Sequence, residues 1–169
     1  MQIIETERLL LRQITTDDAP FILALLNDPS WIQFIGDRGV RTLDAARDYI
    51  LERMMKSYEQ NGFGLYLTVI KADKTPIGIC GLVNRDGLDD IDIGFAFLPT
   101  YKGLGYGYES STAVVSYAKT TLKLNRLVAI TDQANTRSIR LLEKLGFRFE
   151  KNIILKGDSD PVALYVLTN

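Results

Sequence analysis

Polar and apolar positions alternate from the start of the chain. Over residues 8–14, Leu9 and Leu11 share one face, which predicts a half-buried strand. Thr15, Thr16, Asp17 and Asp18 follow as helix-capping types, with carboxylates suited to a helix's positive end. Phe21, Ile22, Leu25 and Leu26 then mark a helix that stops near Asn27-Asp28-Pro29. Residues 30–40 keep neither period and are expected to be irregular, anchored by Trp31 and Phe34 and broken by Gly36 and Gly39. Thr42 caps a helix over residues 43 to about 60, with Ala46, Tyr49, Ile50, Arg53 and Met54 as its stripe and Asn61-Gly62 as its close. Strands are predicted at 65–71 and 76–84 around a turn at 72–75. After turns at Asp86-Gly87 and Asp89-Asp90, residues 91–98 read as a buried central strand whose ladder Pro99 ends, having no N–H. A helix from 107 to about 122, a β-branched strand at 126–131, a short helix from Asn135 to Gly146 and a hairpin of 147–155 with 162–167 complete the chain. Early hairpins and a late β-α-β order predict a three-layer α/β fold on a mixed sheet, in one domain spanning residues 1–169.

The periodic pattern is interrupted between the central strand and its helix. Gly103, Gly105 and Gly107 stand at every second position there. Glycine lets a backbone approach a ligand closely, and unpaired N–H groups at a helix start suit a phosphate. A P-loop would end in Gly-Lys-Ser/Thr, but Tyr108 and Glu109 follow Gly107. A dinucleotide-binding turn needs G-x-G-x-x-G on an early strand, and this is G-x-G-x-G past mid-chain. Taken alone, the segment is equally a plain turn joining two elements.

Composition acts mainly by exclusion. The chain's 169 residues suffice for a substantial core. Its net charge is −1 and it has no Lys/Arg block, which argues against nucleic-acid binding. No apolar run is long enough to span a membrane and no signal-peptide core opens the chain, so a cytoplasmic protein without membrane partners is expected. Cys80, the only cysteine, lies in the apolar run Ile77-Gly78-Ile79-Cys80-Gly81-Leu82 and reads as a small core residue rather than a nucleophile. There is no histidine, which removes the commonest general base and metal ligand, so no metal site is expected.

Lys102-Gly103-Leu104-Gly105-Tyr106-Gly107 resembles the Arg/Gln-x-x-Gly-x-Gly/Ala signature of the GNAT superfamily of acyl-CoA N-acyltransferases, with Lys in the first place. Asn135-Thr136-Arg137-Ser138-Ile139-Arg140-Leu141-Leu142-Glu143-Lys144-Leu145-Gly146-Phe147 is similar to the branch of ribosomal-protein-alanine acetyltransferases (RimJ/RimL-like), as is the opening Thr6-Glu7-Arg8-Leu9-Leu10-Leu11-Arg12. The resemblance implies the family's twisted sheet of about seven strands, in which the central strand and the next splay apart to admit the cofactor.

It further implies acetyl-CoA as acetyl donor and direct attack by a neutral amine. Amides of Gly103, Leu104, Gly105, Tyr106 and Gly107 would hold the diphosphate, with Lys102 either adding charge or simply solvated. Backbone of Phe97 and Leu98 would pair with the cofactor's amide-bearing arm, and one of their N–H groups would stabilise the oxyanion. The tyrosine that many members use as acid is missing between Asn135 and Gly146. Asn135 would contact the cofactor arm and Ser138 the sulfur, against a capping role for both. Candidates for the base are Asp92, Asp90, Glu109 or a water chain, with Glu109 read foremost as a helix-dipole or hydrogen-bonding carboxylate. Ser138, Asn135 and Asp92 are thus the candidate catalytic residues. The acceptor is a peptide N-terminus or a small amine such as a polyamine, amino acid or antibiotic, chosen by loops such as 30–40 and 158–161, in a monomer or homodimer. A non-catalytic acyl-CoA sensor is the alternative outside enzymes.

Overall fold

The computed structural model describes residues 1–168. Eight strands form one sheet in the order β1-β2-β3-β4-β5-β6-β8-β7. They are β1 Gln2–Glu5, β2 Leu9–Gln13, β3 Leu65–Ile70, β4 Pro76–Val83, β5 Asp92–Phe97, β6 Arg126–Thr131, β7 Arg148–Ile154 and β8 Pro161–Thr168. Not among the predicted strands is β1, a four-residue edge strand that pairs antiparallel with β2 through a bulge. It raises the count from about seven to eight.

Every neighbouring pair is antiparallel except β5 and β6. Those two run parallel and meet at a single register pair, Asp92 with Val128. Val128 N–H donates to Ile91 O at 3.0 Å, and beyond that point the strands part. On its other side β5 keeps an unbroken register with β4, from Gly78 opposite Phe97 to Val83 opposite Asp92. The sheet is therefore open on one side of β5 only.

Strand alternation divides the core in two. Leu11, Tyr66, Cys80 and Ile93 face helix α5 (Tyr106–Thr120), where Val114 and Ala118 meet them. Leu67, Val69 and Ile79 face the first helices, α1 (Ala19–Leu26), α2 (Pro29–Phe34) and α3 (Leu43–Tyr49). Cys80 is a core residue as expected: it is fully buried 3.6 Å from Ser111 Oγ, and burial pushes its thiol up to about 11.

Residues 29–34 are helical rather than irregular. Asp28 accepts from Ser30 N–H at 3.2 Å and Pro29 takes the first turn, a start signal in the sequence that outweighs the missing period. The predicted helix from Leu43 is one rod in three parts: α3, a π-helical stretch Ile50–Met55, and α4 (Lys56–Asn61), closed by Gly62 at φ 78°. Helix α6 (Thr136–Lys144) follows β6. Among the described residues no helix is long and apolar enough to cross a membrane.

Candidate active site

The parting of β5 and β6 opens a cleft of about 690 Å³ that runs from the glycine loop, past Phe97 and α6, to Trp31, Tyr49 and Arg53. At its near end, Pro99–Tyr101 form one 3₁₀ turn, and Lys102 N–H donates to Pro99 O at 3.2 Å. The next amide with a partner is Glu109 N–H, on Gly105 O at 3.0 Å. Between them, the N–H groups of Gly103, Leu104, Gly105, Tyr106, Gly107 and Tyr108 meet no acceptor among the described residues. Gly103 and Gly105 hold φ 79° and 85°, values that L side chains rarely adopt. Gly107 is different: a Cβ there would stand 3.3 Å from Leu141 Cδ2, so it seats the helix against α6.

The loop is fastened from the first strands. Glu109 accepts from Thr6 Oγ1 at 2.5 Å, Arg8 N–H at 2.9 Å and Arg8 Nε at 2.7 Å. Arg8 also donates to Leu104 O at 3.1 Å and lies 4.3 Å over the Tyr106 ring. Burial alone would raise the Glu109 pKa, but hydrogen bonds from Thr6 and Arg8 outweigh it and hold the pKa below the usual carboxylate range. Glu109 thus latches the loop to the first strands. The Thr6–Arg8 half of that latch is absent from the sequence reading.

The backbone of β5 separates its two candidate residues. Leu98 N–H donates to Ile77 O at 3.0 Å, and Leu98 O accepts from Tyr101 N–H at 3.0 Å. Both Leu98 groups belong to the fold, which corrects its expected pairing with a ligand. In an antiparallel ladder these bonds alternate, so the N–H and C=O of Phe97 point away from β4, into the gap.

Asn135 and Ser138 line the opposite wall. Asn135 Oδ1 caps α6 by accepting from Ser138 N–H at 3.2 Å. The capping role is thus realised, while the Asn135 amide NH₂ and the Ser138 hydroxyl have no partner among the described residues. Lys102 is half-buried, and its ammonium donates to Ser30 Oγ at 2.9 Å. Two guanidinium groups flank the glycines: Arg8, whose NH2 lies 3.2 Å from where a Gly105 Cβ would be, and Arg137, whose NH1 lies 3.9 Å from where a Gly103 Cβ would be. The only sequence signal for Arg137 is the basic run of α6, with Arg140 and Lys144.

Of the carboxylates, Asp90 pairs with Arg126 at 2.9 Å outside the cleft. Asp92 lines it, on the β5 face shared with Gly94 and Ala96. It is 1% exposed, its Oδ2 stands 3.4 Å from Arg85 NH2, and its Oδ1 has no partner. Burial pushes its pKa up to about 6, against the opposing pull of the Arg85 charge. Residues Trp31, Phe34, Ile35 and Arg38 wall the far end; the 158–161 turn does not, although Val162 beyond it does. Among the described residues no three His, Cys, Asp or Glu side chains cluster as a metal would require.

A strand pair opened beside a row of unpaired amides belongs to enzymes that move acyl groups. Residues 8–148 match the model of the acetyltransferase (GNAT) domain. The chain belongs to this family and is an N-acetyltransferase. It is 31% identical over 150 residues to the uncharacterized N-acetyltransferase YoaA of Bacillus subtilis (strain 168), covering 88% of this chain and 84% of that one. A GNAT-family acetyltransferase structure from Bacillus anthracis superposes with TM-score 0.80 at 24% identity, covering 99% of this chain and 98% of the other. RimL, the ribosomal L7/L12 α-N-protein acetyltransferase in complex with coenzyme A, superposes with TM-score 0.82 at 18% identity, covering 99% and 98%. At these identities the two structures share the fold.

Proposed function

We propose that the protein transfers an acetyl group from acetyl-CoA to a primary amine, with a protein N-terminal α-amine as the first acceptor to consider. The observation that carries this reading is the row of six amides over residues 103–108, without acceptors among the described residues, of which Gly103, Gly105, Gly107 and Tyr108 line the cleft. A diphosphate needs donors that replace its water, and such a row supplies them at a helix start. Arg137 adds charge beside Gly103. Phe97 offers an N–H and a C=O to an extended, amide-bearing arm lying along β5, as an added strand would. The bound co-substrate would supply an activated acyl carbonyl.

The residues around that carbonyl have separate tasks. Phe97 N–H is the backbone donor placed for an oxygen that gains charge, a role worth about 3–4 kcal/mol of barrier in comparable sites. The unpartnered Asn135 amide fixes the arm. The Ser138 hydroxyl donates to the departing sulfur, whose thiolate is stable enough that a full acid is unnecessary. Asp92, half-ionised near pH 6, accepts the proton of the amine, directly or through one water. Descent from the RimJ/RimL-like branch is supported by the α6 residues Asn135 and Ser138 and by the fold shared with RimL.

The test is thiol release from acetyl-CoA across Ala- and Ser-starting peptides and small amines. Turnover on the peptides supports the N-terminal acceptor, and turnover on small amines alone moves the acceptor class. Tight acetyl-CoA binding without turnover on any amine would make the protein a sensor. Absence of acetyl-CoA binding would overturn the reading.

A further inference from the structure

The far end of the cleft is charged out of proportion to the chain, whose net charge is −1. Arg38, Arg53 and Arg85 line it, with Lys102 reaching in from the edge of the glycine loop, against two carboxylates, Asp28 and Asp92. Asp28 is occupied in capping α2 and Lys102 in reaching Ser30. Arg85 meets Asp92 only at 3.4 Å, and its Nε is buried without an acceptor. Arg38 and Arg53 donate to no acceptor among the described residues; Arg53 lies only 5.9 Å over the Tyr49 ring.

Outside the cleft, every arginine but the exposed Arg148 is paired. Arg8, Arg12, Arg41, Arg47 and Arg126 each hold a carboxylate within 2.9 Å. The remaining guanidinium groups, Arg38, Arg53, Arg85, Arg137 and Arg140, line the cleft, and Arg38 and Arg53 come from the α2–α4 region rather than from the glycine loop or α6. The indole N–H of Trp31, on the same wall, is also buried without an acceptor. Arg38 and Arg53 are exposed and give their donors to water, and a wall of such positive potential favours acceptor oxygens bearing negative charge in a ligand that displaces that water. A simple amine cannot provide them, and a polyamine would add like charge.

We infer that the acceptor amine carries a carboxylate a few bonds from its nitrogen, and that Arg53 and Arg38 hold this carboxylate. The inference rests on the acetyl-transfer reading and narrows its substrate class. Nearby cations also favour the neutral form of the amine, which is the form that attacks. The carboxylate has two possible sources: the α-carboxylate of a free amino acid, or an acidic side chain next to a peptide's N-terminal residue.

The experiment compares kcat/KM for the amidated peptides Ala-Glu-Ala, Ala-Gln-Ala and Ala-Lys-Ala, for free glutamate and for spermidine. The acidic peptide or glutamate is expected to exceed the glutamine peptide at least tenfold, with spermidine poorest; whichever of the first two leads identifies the source. Arg53→Gln should bring the acidic-to-neutral ratio close to one in a variant that melts like the wild type. Equal rates for the acidic and neutral acceptors, unaffected by Arg53→Gln, would overturn the inference and leave acetyl transfer standing. Trp31 is the only tryptophan, so its fluorescence reads binding without turnover. Acetylated Ala-Glu-Ala should bind more tightly than acetylated Ala-Gln-Ala, and equal binding would again overturn the inference. Failure to bind acetyl-CoA would count against the proposed function instead.

Discussion

Asp92 is a carboxyl group that the fold prefers uncharged. Its pKa is about 6 in the fold against an ordinary 3.8, so the folded chain binds the extra proton between those values. Stability from this group is full below the lower value and falls as pH rises through about 6. Keeping the carboxylate charged at neutral pH costs on the order of 3 kcal/mol. Asp92→Asn should therefore not lower the melting temperature at pH 7, while kcat drops about 10²–10⁴-fold. In the wild type, kcat/KM should climb through pH about 6, and this limb should vanish in the variant. Arg85→Gln removes the charge that opposes the shift, so the limb should move to higher pH; an unmoved limb would show that Asp92 is not the titrating group. Glu109 has the opposite sign. Its pKa is lowered from 4.5, so its contribution is present above that value and lost as pH falls through its folded pKa. Glu109→Gln should cost about 1–3 kcal/mol in urea melts at neutral pH and raise the KM for acetyl-CoA, with the stability difference closing in acid.

Helix α6 begins with a residue that serves two functions through two atoms. Asn135 Oδ1 caps the helix, and its NH₂ is left for a ligand. Asn135→Asp keeps the capping oxygen and loses the donor, so the melting temperature should hold while acetyl-CoA affinity falls. Asn135→Ala loses both, at about 1 kcal/mol of stability. Equal affinity in wild type and Asn135→Asp would reduce Asn135 to a cap. At this scale the sequence was legible wherever the signal is short-range. Asn135 and Gly62 mark element ends through local backbone chemistry, and the Asp28-Pro29-Ser30 start of α2 is present in the sequence, though weaker than the lack of period around it. Residues whose roles depend on distant partners could not be read this way. Thr6 is 103 positions from Glu109, and Lys102 is 72 from Ser30. Leu98 is adjacent to Phe97, yet only the β4 register shows that its amide is already used.

For the molecule as a whole, the sheet consists of two well-paired halves joined at Asp92 and Val128. The order of hairpins and crossovers made the mixed sheet readable from the chain. The parting of β5 from β6 was not readable from their residues, because it depends on register, and it came from family likeness. A ligand lying between the halves adds binding energy that the unfolded chain cannot use. At a hundredfold excess over Kd this is about 2.7 kcal/mol, which for a chain of this size raises Tm by roughly 5–10 °C. Acetyl-CoA and CoA should both produce that rise in a thermal-shift measurement, and dephosphorylated pantetheine should produce much less.

The gap beside Phe97 also bears on how the protein behaves in a tube. One margin of β5 is an unfilled template, and such margins recruit whatever extended chain drifts past. Its placement within the molecule limits it to a single narrow guest. Enzyme purified free of nucleotide should scatter more light on standing than enzyme kept with CoA, and short strand-forming peptides should slow the reaction by lodging where the thioester arm belongs.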